Sequence, residues 1–122
     1  MKNYLFIIIF LVSLQVFAQD GEEKKDWANL NRYKMENAAL PKPVKHEKRI
    51  VFMGNSITEG WQYIDTLFFK NQQYVNRGIS GQTTPQMLLR FRQDVIRLEP
   101  HAVVILAGIN DIAQNTGYIS VE

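Results

Sequence analysis

Apolar positions in this chain come mostly in unbroken runs, with little of the alternation that marks a half-exposed sheet. Arg49-Ile50-Val51-Phe52-Met53 is followed by Gly54, and Ala102-Val103-Val104-Ile105-Leu106-Ala107 is followed by Gly108. Short runs of this kind, bounded by glycine, predict strands buried on both faces, as in a parallel sheet. Tyr74-Val75-Asn76 predicts a shorter strand between them. Thr58 to Lys70 is mixed in character and is expected to be partly helical. Thr84-Pro85 reads as an N-cap followed by proline at the first helical position. Leu88, Phe91, Val95 and Leu98 then share one helical face, and Glu99-Pro100 stops the helix. Upstream, Asp26 is expected to cap a helix through Trp27, Leu30 and Tyr33 to about Leu40, ended by Pro41-Lys42-Pro43. Strand, helix, strand, helix, strand implies an α/β fold with a parallel sheet covered by helices on both faces.

The earliest apolar run has a different meaning. Lys2 supplies a positive start, and Tyr4 to Val12 is almost wholly apolar, continued more weakly by Ser13 to Phe17. Val16-Phe17-Ala18 puts small residues at the −3 and −1 positions of a cleavage site. The pattern predicts a secretory signal peptide over residues 1–18, cleaved after about Ala18. The run is shorter than the ~20 residues a spanning helix needs. No cysteine follows it, which excludes a lipid anchor on a cysteine, and the chain has no cysteine to form disulfides. A secreted or periplasmic bacterial protein is expected. Residues 19–48 then form a leader, polar from Gln19 to Lys25, with the short helix described above.

Composition narrows the partners. The chain of 122 residues is 46% hydrophobic and 21% charged, and it carries a net charge of +2 from 14 basic and 12 acidic residues. That is ordinary globular composition. No basic block or interleaved aromatic stripe points to nucleic acid, and no metal cluster or cofactor motif is present.

Ligand and catalytic groups in open parallel sheets gather beyond the carboxyl ends of the strands. Three polar loops lie there: Gly54-Asn55-Ser56, Gly78-Ile79-Ser80-Gly81 and Gly108-Ile109-Asn110-Asp111. Ser56 is the natural nucleophile candidate, because it follows a buried strand and a glycine turn and stands where a helix would begin. Each residue also has a plainer explanation: Ser56 as an N-cap, Gly81 as a loop glycine needing positive φ, Asn110 as a turn residue. Their joint placement at three successive strand ends favours a single site.

Gly54-Asn55-Ser56-Ile57-Thr58 resembles the first block of the GDSL, or SGNH, hydrolases. Asn76-Arg77-Gly78-Ile79-Ser80-Gly81-Gln82-Thr83 resembles the second, and Gly108-Ile109-Asn110-Asp111 a third, of Gly-x-Asn-Asp type. The resemblance covers about Arg49 to the end of the chain. It implies a three-layer α/β/α sandwich with a flavodoxin-like parallel sheet, truncated here after about the third strand. It also implies that Ser56 attacks an ester carbonyl, with an oxyanion hole built from the N–H groups of Ser56 and Gly81 and the amide of Asn110. Asn55 stands where the family usually has Asp, so a changed local hydrogen bond is expected, with activity kept. The implied substrates are small-molecule or glycan esters: acetylated carbohydrates, short acyl esters and lysophospholipids. Trp61, Tyr63 and Phe68 are candidates for a pocket lining or, more simply, for the core.

A serine nucleophile needs a base. The family supplies it from an Asp-x-x-His block that residues 1–122 do not contain. His46 lies before the first strand and His101 at the start of the third, opposite the catalytic end; a six-residue strand spans ~20 Å, too far for proton transfer. Asp111 reads as a structural loop residue. Residues 49–122 are therefore expected to be the front portion of a longer hydrolase domain, inactive alone. The competing expectation is a catalytically dead carbohydrate-binding or interaction module that keeps the fold.

Overall fold

The computed structural model describes residues 25–120. The expected signal peptide, and the leader up to residue 24, lie outside the described residues.

Three strands form one parallel sheet: β1 (Ile50–Gly54), β2 (Tyr74–Gly78) and β3 (Ala102–Leu106). Their order is β2-β1-β3, so β1 is central. Val51 pairs with Val75 and with Val103, and Gly54 with Gly78 and with Leu106. Among the described residues four α-helices accompany them: α1 (Lys34–Ala39), α2 (Ser56–Ile64), α3 (Thr84–Asp94) and α4 (Ile109–Ile112). Single 3-10 turns at Phe68–Lys70 and Ile96–Leu98 lead into β2 and away from α3.

The pleat divides the core between two faces. On one, Val51, Met53 and Val75 pack with Met87, Val95 and Leu98 from α3 and the turn after it. On the other, Phe52 is the hub of an aromatic cluster, with the rings of Trp61, Phe68, Phe69 and Tyr74 all between 5.4 and 5.7 Å from its own. Most of these meet edge to face, the arrangement the ring quadrupole favours. Trp61, 36% exposed, and the half-buried Phe68 thus pack onto the buried Phe52 from outside, whereas Tyr63 lies free of the cluster at 71% exposure. Helices on both faces of a parallel sheet are what the strand–helix alternation implied, and they make this the truncated three-layer α/β/α arrangement that the family resemblance implied.

Several local expectations need correction. The anticipated helix from Asp26 to Leu40 is a strap of successive turns that becomes helical only at Lys34. Asp26 does accept N–H bonds, from Leu30 and Asn31, but Asn29 at φ 56° breaks the helical path. The strap's carbonyls are used elsewhere: Trp27 O accepts from Gln86, Ala28 O from Gln82 and Leu30 O from Gln93. In α3 the N-cap is Thr83, one residue earlier than expected, and the Gln86 side chain reaches back to its N–H at 3.0 Å. Leu88, expected to share a helical face with Phe91, Val95 and Leu98, is 75% exposed, whereas Val95 and Leu98 are buried. The helix instead turns Arg90 and Asp94 inward, towards the strap and the loop after β2. β3, expected to be buried on both faces, is mostly exposed, because β1 is its only neighbouring strand among the described residues and no described helix packs closely over it. The loop after β3 contains α4, a single turn that the sequence pattern did not suggest.

Candidate active site

Ser56 is the first residue of α2 and is solvent-exposed. It lies two residues beyond the end of the central strand, which explains how a buried strand delivers an exposed hydroxyl. Asn55 before it is the N-cap: its Oδ1 accepts from the Ile57 N–H at 3.1 Å. The side chain is fully buried, and its Nδ2 has no hydrogen-bond partner among the described residues. The Ser56 N–H, as the first amide of the helix, has no intrahelical acceptor.

Gly81 lies in the loop after β2 with φ +75°, a conformation that glycine adopts freely and other residues rarely do. Its carbonyl accepts from Asn115 Nδ2 at 3.2 Å. Ser80 beside it donates both its N–H, at 2.8 Å, and its hydroxyl, at 2.5 Å, to Glu59 Oε2. Glu59 is on the first turns of α2, so this carboxylate ties the loop to the helix that Ser56 starts. Partial burial pushes the Glu59 carboxyl up. The hydrogen bonds from Ser80 and the nearby Arg32 guanidinium outweigh that and hold it below its ordinary value.

Asn110 lies in α4, and its Nδ2 donates to Gln82 O at 2.9 Å. An amide nitrogen carries two hydrogens, so one anchors the side chain and the other remains for a ligand. Asp111 accepts from the Thr84 N–H at 3.0 Å and from the Thr84 hydroxyl at 2.5 Å, which fixes the third loop on the start of α3. That is a structural task.

Gly81 and Asn110 are thus brought together through the intervening Gln82 peptide. Ser56 stands at the neighbouring strand end, tied to the same loop through Glu59. His46 and His101 sit at the other end of the sheet. The His101 N–H donates to Arg49 O just before β1, and His46 lies in the turn preceding it.

Beneath the three loops is a polar layer that sequence reasoning missed. Arg90 and Gln82 are buried, and Arg90 Nε donates to Gln82 Oε1 at 2.5 Å. Arg90 also donates to Asp94, to Arg77 O at 2.8 Å and to Gly54 O at 3.2 Å. Burial pulls both the Arg90 and Arg77 guanidinium groups below their ordinary value, with Asp94 opposing in each case. Tyr33, from the strap, donates its hydroxyl to Gly78 O. Burial pushes its phenol up to about 12. The available signal was Arg90 at four-residue spacing from Asp94, between Met87 and Val95: a charged pair set into an apolar face.

Residues 52–120 match the model of the GDSL-like lipase/acylhydrolase family. The crystal structure of a provisionally assigned acylhydrolase from Bacteroides fragilis NCTC 9343 is 63% identical and superposes with a TM-score of 0.75, over 79% of this chain and 47% of that one. A GDSL-like lipase from Bacteroides thetaiotaomicron VPI-5482 is also 63% identical, with a TM-score of 0.72 over 75% of this chain and 45% of its own. The uncharacterized lipoprotein YqeF of Bacillus subtilis (strain 168) is 38% identical over 80 residues, which are 52% of this chain and 32% of YqeF. The chain therefore spans about half the length of the two solved structures and a third of YqeF.

Proposed function

The chain belongs to the GDSL-like lipase/acylhydrolase family, and from that premise we propose that the full-length protein is a serine hydrolase of carboxylic esters with Ser56 as its nucleophile. The observation that carries this reading is the exposed Ser56 at the head of α2, at the same sheet end as Gly81 and Asn110. In the proposed reaction Ser56 Oγ attacks the acyl carbonyl and gives up its proton to a histidine base. The carbonyl electron pair moves onto oxygen, where the N–H groups of Ser56 and Gly81 and the Asn110 amide receive the negative charge. Collapse expels the alcohol, which takes the proton, and water then releases the acid from the acyl-serine by the same steps. Losing one such donor typically slows turnover ~100–1000-fold.

His46 and His101 have no part in this scheme, since both lie at the far end of the sheet. The base belongs to an Asp-x-x-His block C-terminal to residue 122, in keeping with relatives about twice as long. The proposed substrates are short acyl esters, acetylated carbohydrates among them, outside the cytoplasm. The signal-like N-terminus and the relation to a protein named as a lipoprotein support that location. No helix among the described residues is long and apolar enough to cross a membrane.

The test is hydrolysis of p-nitrophenyl acetate by the full-length protein. Ser56→Ala should lower kcat at least ~1000-fold; an equally active variant would remove Ser56 from the mechanism.

A further inference from the structure

We infer that Gln82 and Arg90 are positioning residues that hold the three oxyanion donors at one spacing, an inference that rests on the ester-hydrolase reading above. The donors come from three loops at three different strand ends. Charge stabilisation by such donors depends on their being aimed in advance, so something must fix the loops relative to one another.

A continuous buried path does so. The Gly54 carbonyl, two residues before Ser56, accepts from Arg90 Nη2 at 3.2 Å. Arg90 Nε donates to Gln82 Oε1 at 2.5 Å. Gln82 follows Gly81 directly, and its own carbonyl accepts from Asn110 Nδ2 at 2.9 Å. Gln82 Nε2 is taken up by Ala28 O at 2.7 Å, so the side chain is engaged at both ends and has one orientation. Three hydrogen bonds therefore run from the peptide behind the nucleophile, through Gly81's neighbour, to the Asn110 amide.

The residue types suit this task. Gln82 is 3% exposed and Arg90 is fully buried. A buried charge is costly, and an apolar residue of similar volume often packs as well or better. Arginine offers what an apolar residue cannot: a planar fork whose several N–H groups point in fixed directions. Here it reaches Gln82, Asp94, Arg77 O and Gly54 O at once, bridging the ends of β1 and β2 from beneath. A lysine ammonium lacks that fixed geometry.

The test uses the full-length protein and compares kcat, KM and thermal unfolding across variants, with Ser56→Ala as a parallel control. Gln82→Met keeps the volume and removes both side-chain hydrogen bonds. It should lower kcat ~10–100-fold while KM stays within about threefold, because misplaced donors weaken the transition state more than the bound ester. Gln82→Glu keeps an acceptor for Arg90 and should recover most of that loss. Arg90→Lys should reproduce the kcat loss with KM again little changed. If Gln82→Met does not fold, Gln82→Asn, one methylene shorter, is read by the same criteria. Variants that unfold at lower temperature yet turn over at the wild-type kcat would show a merely structural role and overturn the inference. A fully active Ser56→Ala would instead overturn the ester-hydrolase reading on which it rests.

Discussion

Gly54 and Gly78 are register partners on adjacent strands, and the first turn of α2 lies against both of them. A β-carbon on Gly78 would stand 2.2 Å from the Glu59 backbone nitrogen; one on Gly54 would stand 2.0 Å from Thr58 Oγ1 and 2.9 Å from Leu106 O. Neither contact can be relieved without moving the helix. The paired glycines therefore set how closely Ser56's helix approaches the sheet. Gly78→Ala should cost about 3 kcal/mol, the upper range for forced overpacking, and lower esterase activity with it. Gly60 is the internal control, since a β-carbon there meets nothing within 4 Å. Gly60→Ala should stabilise the protein by about 0.5–1 kcal/mol through helix propensity alone. Denaturant unfolding of the two variants checks both signs.

Asn55 holds the start of α2 through one hydrogen bond to the Ile57 N–H. Aspartate can make the same bond, so Asn55→Asp should keep kcat within about tenfold. Asn55→Ala removes the cap and should cost about 1 kcal/mol of stability. A large gain in turnover for the aspartate variant would show that Asn55 impairs the site.

Glu59 contributes a stability term with a definite sign in pH. Its carboxyl is held below the ordinary value of 4.5, so its contribution is present above that value and is lost as pH falls through the lower, folded-state value. Glu59→Gln should be less stable than wild type by about 1 kcal/mol near neutrality, and the difference should vanish in acid. Unfolding curves at a series of pH values between neutrality and strong acid would reveal the convergence.

Tyr33 acts at the other end of the scale. Its phenol is raised from 10.0 to about 12, so the folded protein keeps a proton that the unfolded chain releases. Its contribution is present below pH 10 and is lost as pH rises towards 12. Tyr33→Phe should cost about 1–2 kcal/mol at neutral pH, because Gly78 O loses its donor, and should flatten the alkaline decline.

Legibility in the sequence followed the physics of each element. β1 was plain because Val51, Phe52 and Met53 form an apolar run bounded by Gly54, and the structure buries all three. β3 carried the same signal, yet Val104, Ile105 and Leu106 are exposed, since a residue pattern records a strand's affinity for cover and not whether the cover is at hand. Ser56, Gly81 and Asn110 were each singled out by position at a strand end, and Gln82 joins the last two. The layer beneath them was hidden. Apart from Gln82 Oε1 and Asp94, its acceptors are the carbonyls of Gly54, Gly78, Arg77 and Ala28, and backbone atoms leave no mark on residue identity. The strap was misread for the same reason, since its backbone is committed to glutamine side chains on α3 and the loop before it.

That strap has a practical consequence. The family match begins at residue 52, whereas the turns that seat the loop after β2 begin near Asp26. A recombinant protein started at the family boundary would strand the amides of Gln82, Gln86 and Gln93 and the guanidinium of Arg77, which bonds Asn37. It would carry all three strand-end loops and still lack the outer wall against which one of them is shaped. Anyone expressing this protein should place the first codon upstream of Asp26.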